Sequence, residues 1–376
     1  MSTADQPEVQ PRGLEGVVAT TTAISKVEDG NLVYRGYAIE ELATQAEYEE
    51  VAYLLLTGDL PGEGELVEFK AELTASWELS PFLNEIVREM SAVGTAMDVL
   101  RTVVSASSFE DPAEGDNSAE AEYAKSIRLT AKLPTILAAY IRRRNGEEPI
   151  PPDASLGHAA NFAQMAGLDE PRAAEILNTC FILQAEHGLN ASTFAARIVA
   201  ATLADMHAAV TAGLGALKGP LHGGATDGTM RMLDEIGSVD RVDEFVENGF
   251  ESKFKFPGFG HRVYVTVDPR AKYLRQFALE LSEGADGRPP YFEIQEKLVE
   301  EVNTRRRLPV NVDYYAATTY TYLGIPADLG TSIFALGRIA GWCAHIMEQH
   351  GDNRLIRPES EYTGPEGKRY VPVSER

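Results

Sequence analysis

Cysteine is nearly absent from this chain: 376 residues hold two, Cys180 and Cys343. Two thiols build neither a disulfide scaffold nor a thiolate metal cluster, and such sparing use fits a reducing interior. Positive charge is also scarce. Acidic side chains outnumber basic ones 57 to 34, the formal net charge is −23, and only 10 of the basic residues are lysine. Nucleic-acid binding needs a basic footprint that this composition does not offer. No apolar run is built for a bilayer: the Ala-rich stretch 192–217 is long enough, but Arg197, Asp205 and His207 interrupt it, and buried protein suits those residues better than lipid. Neither nucleic acid nor membrane is expected as a partner. The opening Met1-Ser2-Thr3-Ala4-Asp5-Gln6-Pro7-Glu8 has neither the basic nor the apolar region of a secretory signal, so the expected location is cytoplasmic. A G-x-S-x-G turn is missing and neither cysteine sits in a glycine turn, which removes the usual signatures of a nucleophilic enzyme.

What is present reads as a globular, nearly all-α protein. Hydrophobic residues make up 44% and charged residues 24%, and the length allows two or three domains with a substantial core. In residues 80–90, apolar side chains at 82, 83, 86, 87 and 90 form a one-face helical stripe. Ser80 can cap that helix, Pro81 suits its first position and Gly94 offers a stop. Residues 49–57 before Gly58-Asp59 read the same way, and 171–185, 192–212 and 314–323 continue the pattern. Strand signals are confined to residues 17–22, with 31–34 after the turn at Asp29-Gly30. Residues 147–152 are a loop by composition, and the glycine-dense passage from Gly213 to Gly224 is where a long helix must end. The scattered carboxylates and few lysines suit a protein working in concentrated salt, where screening offsets self-repulsion. The alternative, an acidic face docking a basic partner, calls for clustering that the sequence does not show.

Among the histidines that adjoin a glycine, three stand in Glu186-His187-Gly188, Leu221-His222-Gly223-Gly224 and Gly258-Phe259-Gly260-His261-Arg262. A single one reads as a histidine satisfied at a helix end; three together point to a site. They lie 35 and 39 residues apart, unlike metal ligands at helical or turn spacing, and His345 and His350 are five apart, which does not stack them on one helix face. No metal is expected. Acid–base chemistry by histidine and carboxylate remains. The candidate carboxylate is Asp313, in Asn311-Val312-Asp313-Tyr314, where a helix N-cap is the competing role. Arginines supply anion recognition. Arg270 follows Asp268-Pro269, and Arg357 sits in Leu355-Ile356-Arg357-Pro358; either is also readable as a solvated surface charge. Arg338 lies in the apolar helix Phe334-Ala335-Leu336-Gly337-Arg338-Ile339-Ala340, where an unpaired charge costs several kcal/mol by order of magnitude, so a carboxylate of protein or ligand is expected to meet it. The residues therefore describe a helical enzyme with histidine acid–base groups and an arginine pocket for a small polycarboxylate.

The motif Gly215-Ala216-Leu217-Lys218-Gly219-Pro220-Leu221-His222-Gly223-Gly224-Ala225, then Gly258-Phe259-Gly260-His261-Arg262-Val263-Tyr264 with Asp268-Pro269-Arg270, then Asn311-Val312-Asp313, resembles the citrate synthase family in content, order and separation. Gly13-Leu14-Glu15-Gly16-Val17 and Tyr34-Arg35-Gly36-Tyr37 resemble the family's opening, so the likeness runs over nearly the whole chain. The resemblance implies catalysis by His222, His261 and Asp313. It also implies oxaloacetate held by His187, Arg270, Arg338 and Arg357, the last reaching in from the other subunit of a homodimer. Coenzyme A would bind along Lys255, Phe256, Pro257, Gly258 and Phe259, with Arg262 beside them; as a thioester it is a substrate, and no cofactor is implied. The implied fold is a large helical domain (1–222 and 328–376) and a smaller helical domain (223–327) that closes over the substrates, with at most a short N-terminal β-hairpin. Val265 stands where many relatives carry a basic residue, Ala316-Ala317 where Ser-Gly is usual, and Thr226 where asparagine is common. Arg305-Arg306-Arg307 reads either as charge for the coenzyme A phosphates or as a solvated face. His222, after Gly219-Pro220, is expected at a helix start whose dipole keeps it neutral, so that its N–H can donate to a thioester oxygen. The implied reaction condenses acetyl-coenzyme A with oxaloacetate. A 2-methylcitrate synthase using propionyl-coenzyme A, a silent metabolite-sensing homologue and a three-histidine metal hydrolase are the competing readings.

Overall fold

A computed structural model describes residues 12–14, 16–28, 30–260, 268–284 and 287–376. Near the start, β1 (Ser25–Glu28), β2 (Asn31–Tyr34) and β3 (Tyr37–Ala38) form an antiparallel sheet in that order. Ser25 pairs with Tyr34, and Tyr34 with Tyr37. The expected hairpin is thus one strand larger, and its first strand starts later. Residues 17–22, expected as a strand, form none: Val18 is 86% exposed, and β-branched residues without a neighbouring edge have no ladder to join.

Sixteen α-helices follow among the described residues: α1 (Ile39–Gln45), α2 (Tyr48–Thr57), α3 (Glu63–Ala75), α4 (Pro81–Ser91), α5 (Ala96–Ser107), α6 (Ala119–Arg144), α7 (His158–Ala166), α8 (Ala173–Gln184), α9 (Ala191–Ala200), α10 (Met206–Leu217), α11 (Ala225–Ile236), α12 (Val242–Glu251), α13 (Ala271–Glu283), α14 (Tyr291–Arg305), α15 (Val312–Tyr322) and α16 (Gly330–Gly351). Local chemistry explains many of the ends. Ser80 Oγ accepts from the Leu83 N–H at 3.1 Å with Pro81 in the first turn. Gly94 closes the next turn by donating to the Met90 carbonyl. Gly58, at φ 107°, ends α2 in the left-handed region that glycine enters freely.

The stretch expected as one helix over 192–212 is two. Leu203 adopts φ 64°, and Asp205 caps α10 by accepting from the Ala208 N–H at 3.1 Å. Alanine on both sides of the break hides it from the hydrophobic pattern. Helix α10 runs past Gly213 and Gly215 to Leu217 and ends inside the glycine-dense passage, where a helix end was expected. Gly213 lies against the Trp342 ring, where an added Cβ would sit 3.3 Å from two ring atoms.

Helix α16 is the central rod. Its residues from Gly330 to Ile346 are buried without interruption, and it packs against α2, α6, α8, α9 and α10. A Cβ at Gly337 would lie 2.7 Å from the Phe181 carbonyl oxygen, and one at Gly341 would lie 2.1 Å from that of Ala185. Glycine there lets α16 press against the end of α8, which carries Arg338 to the site. Helices α11 and α13 both pack on α15, α12 packs on α14, and α11 also meets α16. None of the described helices is long and apolar enough to cross a membrane.

Candidate active site

Arg338 organises the site. Its side chain is fully buried, Nε donates to the Gln184 carbonyl at 2.6 Å, and the guanidinium lies 4.7 Å from the Phe334 ring centroid. Burial pulls its pKa down to about 10, and Glu186 is the largest charge opposing that shift. No carboxylate among the described residues forms an ion pair with it, which leaves open the ligand half of the expectation that a carboxylate of protein or ligand meets it. Its charge is felt at His222 and Asp313 alike, and a cation so placed suits an anionic ligand.

His222 occupies a turn in which its own N–H donates to Gly219 and the Gly223 N–H donates to Leu217. The Ser192 backbone N–H donates to its Nε2 at 3.2 Å, and Ser192 Oγ lies 2.8 Å from the same nitrogen. A backbone N–H can only donate, so Nε2 accepts and the ring proton is on Nδ1. Trp342 Nε1 donates to Ser192 Oγ at 3.2 Å and fixes the hydroxyl from α16. The pKa of His222 falls to about 4, first through burial and then through the charge of Arg338. His222 lies three residues before the start of α11. Its ring also meets the start of α9, thirty residues upstream, whose second residue is Ser192.

Asp313 is not the cap of its helix. Asn311 takes that role, accepting the Asp313 N–H at 3.0 Å, which leaves the Asp313 carboxyl for other work. Its Oδ1 accepts from Thr226 Oγ1 at 2.7 Å. Burial pushes the carboxyl up to about 6, against the lowering effects of Thr226, Arg270 and Arg338. Such a group is ionised at neutral pH and still a stronger base than an ordinary aspartate.

Arg270 is buried just before α13. Asp268 accepts from its Nε at 3.0 Å and its Nη2 at 2.8 Å, and also from the Val312 N–H at 3.2 Å. Asp268 therefore ties the arginine to the start of α15, next to Asp313. His187 lies partly buried in the loop after α8. Beside it Glu186 is fully buried, with Oε1 2.9 Å from Ser25 Oγ and 3.0 Å from His345 Nε2.

The segment 255–260 runs beside 309–311. The Asn311 N–H donates to Gly258 at 2.9 Å, and the Gly260 N–H to Pro309 at 2.7 Å. Phe259 and Val310 form an isolated antiparallel bridge. Gly258, at φ 78°, passes so close to Tyr314 that a Cβ would lie 2.7 Å from its ring. Lys255 is exposed and Pro257 partly buried, whereas Phe256 packs among Phe245, Phe250, Phe254 and Phe259. Arg306 and Arg307 are exposed. Arg357 is exposed in the segment after α16, with no hydrogen bond or ion pair to a site residue among the described residues. His261 and Arg262 lie outside the described residues.

Sequence reasoning missed Ser192, Trp342, Asp268 and Glu186. Asp268 carried a signal in the Asp-Pro-Arg turn, and Glu186 in its place beside His187; the other two had none, because their partners are remote in sequence. His345 and His350 serve structure: His345 bridges Glu186 and Arg197, and His350 lies 2.7 Å from Glu122.

An all-α scaffold with a neutral imidazole, a strengthened carboxylate and buried arginines defines an acid–base enzyme for an anionic substrate. The family model for the citrate synthase C-terminal domain matches residues 13–359. The chain is 44% identical to citrate synthase 2 of Bacillus subtilis over 97% of its own length and 99% of the relative's. It is 40% identical to a 2-methylcitrate synthase of Mycobacterium tuberculosis, over 96% and 92%. The solved ternary complex of Thermoplasma acidophilum citrate synthase with carboxymethyl coenzyme A and oxaloacetate superposes with a TM-score of 0.91 at 31% identity, covering 97% of this chain and 99% of that one. The chain belongs to the citrate synthase family, acyltransferases of the citrate (Si)-synthase type.

Proposed function

We propose that the protein condenses acetyl-coenzyme A with oxaloacetate and water to give citrate and coenzyme A. The observation that carries this reading is the pairing of His222, held neutral with its proton on Nδ1, with Asp313, whose carboxyl is pushed up to about 6. Oxaloacetate binds to His187, Arg270 and Arg338, and Arg357 completes the pocket from a second copy of the chain in a homodimer. The methyl protons of a thioester are too weakly acidic for a carboxylate alone. His222 Nδ1–H donates to the thioester oxygen as negative charge develops there, while Asp313 removes a methyl proton. The enolate carbon attacks the ketone of oxaloacetate. His261 and the arginines polarise that ketone, and His261 gives its proton to the ketone oxygen as the carbon–carbon bond forms. Water then cleaves the citryl thioester and releases coenzyme A. Closure of helices α11–α15 over bound oxaloacetate excludes water until the base is in place. The segment 255–259, with Arg262, receives coenzyme A.

The identity to a 2-methylcitrate synthase supports a second reading, in which propionyl-coenzyme A is the preferred thioester. One methylene changes binding by about 1–3 kcal/mol. Coenzyme A release from purified protein, oxaloacetate and each thioester in high salt separates the two. Faster turnover of the acetyl substrate is expected; faster turnover of the propionyl substrate selects the alternative, and no release from either removes both.

A further inference from the structure

Thr226 is the second residue of α11 and is 2% exposed. A threonine inside a helix ordinarily returns its hydroxyl to a carbonyl one turn back, as Thr229 does by donating to Ala225 at 2.9 Å. Thr226 instead donates across the site to Asp313 Oδ1 at 2.7 Å. Its methyl is pressed against Gly330, where any Cβ would lie 2.5 Å from Thr226 Cγ2. A β-branched side chain with its methyl so seated has little rotameric freedom, and the hydroxyl stays aimed at the carboxylate. The start of α16 holds this turn from the other side: Thr331 Oγ1 donates to the Gly223 carbonyl at 2.8 Å, and the Thr331 N–H reaches Asp227 Oδ1 at 3.4 Å.

We infer that Thr226 is a positioning residue for the carboxylate that removes the substrate proton: its hydroxyl engages Oδ1 and leaves Oδ2 as the oxygen that meets the thioester methyl. The inference rests on the reading of Asp313 as the base. Among the described residues, the charged and titratable groups around that carboxyl are Asp268 and Arg270 before α13, Arg338 on α16 and Tyr320 on its own helix. Thr226 adds a neutral donor to this set, and a donor favours the ionised carboxylate.

Two substitutions in the full chain separate hydroxyl from packing. Thr226→Val keeps the methyl against Gly330 and deletes the donor; Thr226→Ser keeps the donor and deletes the methyl. Thr226→Val is expected to lower kcat about 10–100-fold, leave oxaloacetate affinity unchanged and move the acid limb of the pH–kcat profile to higher pH. Thr226→Ser is expected to retain most turnover and the wild-type profile. Wild-type kcat and an unmoved limb in Thr226→Val, or equal losses in both variants, overturn the proposal. If Thr226→Val does not fold, Thr226→Ala measured against Thr226→Ser supplies the same contrast. Wild-type protein that releases no thiol from either thioester defeats the functional reading and this inference together, whereas an active wild type with an indifferent valine variant defeats this inference alone.

Discussion

Two regions of the molecule carry the same electrostatic signature with different meaning. Around Arg338, the Asp313 carboxyl is raised to about 6 and the His222 imidazole lowered to about 4. Where α2 meets α7, burial raises Glu49 and lowers His158, also to about 4. A cavity of about 610 Å³ adjoins the second pair, lined in part by Lys70, Arg172, Tyr273 and Phe277. Perturbed groups beside a cavity are the usual sign of a functional site. The partners tell the two apart. Glu49 Oε1 accepts the backbone N–H of His158, at 2.8 Å, and stops the chain at the start of α7. The His158 ring packs against Tyr48 and Phe181, and neither of its nitrogens has a hydrogen-bond partner among the described residues or faces open space. His222 has one nitrogen fixed by Ser192, which determines where its proton sits. Burial alone shifts a pKa; an aimed proton needs a neighbour.

Removing each acid gives the largest test of this contrast. Asp313→Ala is expected to lower kcat by about 10³-fold, within the range for a general base, with oxaloacetate binding retained by calorimetry. Glu49→Gln is expected to leave kcat unchanged, and a comparable loss there would erase the distinction. Next comes pH. Because Asp313 must be ionised to accept a proton, kcat/KM for the thioester is expected to fall as pH drops through about 6; an acid limb near the ordinary aspartate value would contradict the assigned base.

A smaller effect concerns the buried pair. The folded-state pKa of His158 is depressed below 6.5, so the unfolded chain takes up a proton that the folded chain refuses, and stability declines from about pH 6.5 toward 4. His158→Phe is expected to flatten that decline in denaturant titrations and to gain about 1 kcal/mol at neutral pH by removing an unsatisfied polar ring; a steeper decline would show that the ring has a partner. The smallest change expected is with salt. Molar KCl screens surface repulsion but not buried groups, so it should raise the melting midpoint while the acid limb of kcat/KM stays in place. Equal midpoints in low and molar KCl would end the idea of salt adaptation.

Local signals were readable where one residue decides a local event: Ser80 and Pro81 start α4, Gly58 ends α2, and the glycines around His222 mark its turn. The break between α9 and α10 was not, since alanine serves either side of it equally well. The same limit applies to the site. His222, Asp313, Arg270 and Arg338 stand out by residue type and motif; Arg270 is clamped locally by Asp268, yet the groups that bond to the other three come from far along the chain. Ser192, Trp342 and Thr226 bond to groups 30, 150 and 87 residues away, and only the packing of α9, α11 and α16 makes them neighbours. Asp313 illustrates the difficulty: a cap and a base share one local pattern, and the contact from Asn311 decides between them.

Helix α16 makes one lateral bond after another along its length: Arg338 to Gln184, Trp342 to Ser192, His345 to Glu186, Glu348 to Arg197. Each depends on rotational phase, since one residue added to a helix turns everything beyond it by roughly 100° and shifts it by about 1.5 Å. A single insertion between Arg338 and Glu348 would misalign every tether on one side of it at once. This helix can tolerate a changed letter at many places, but its length is part of the catalyst.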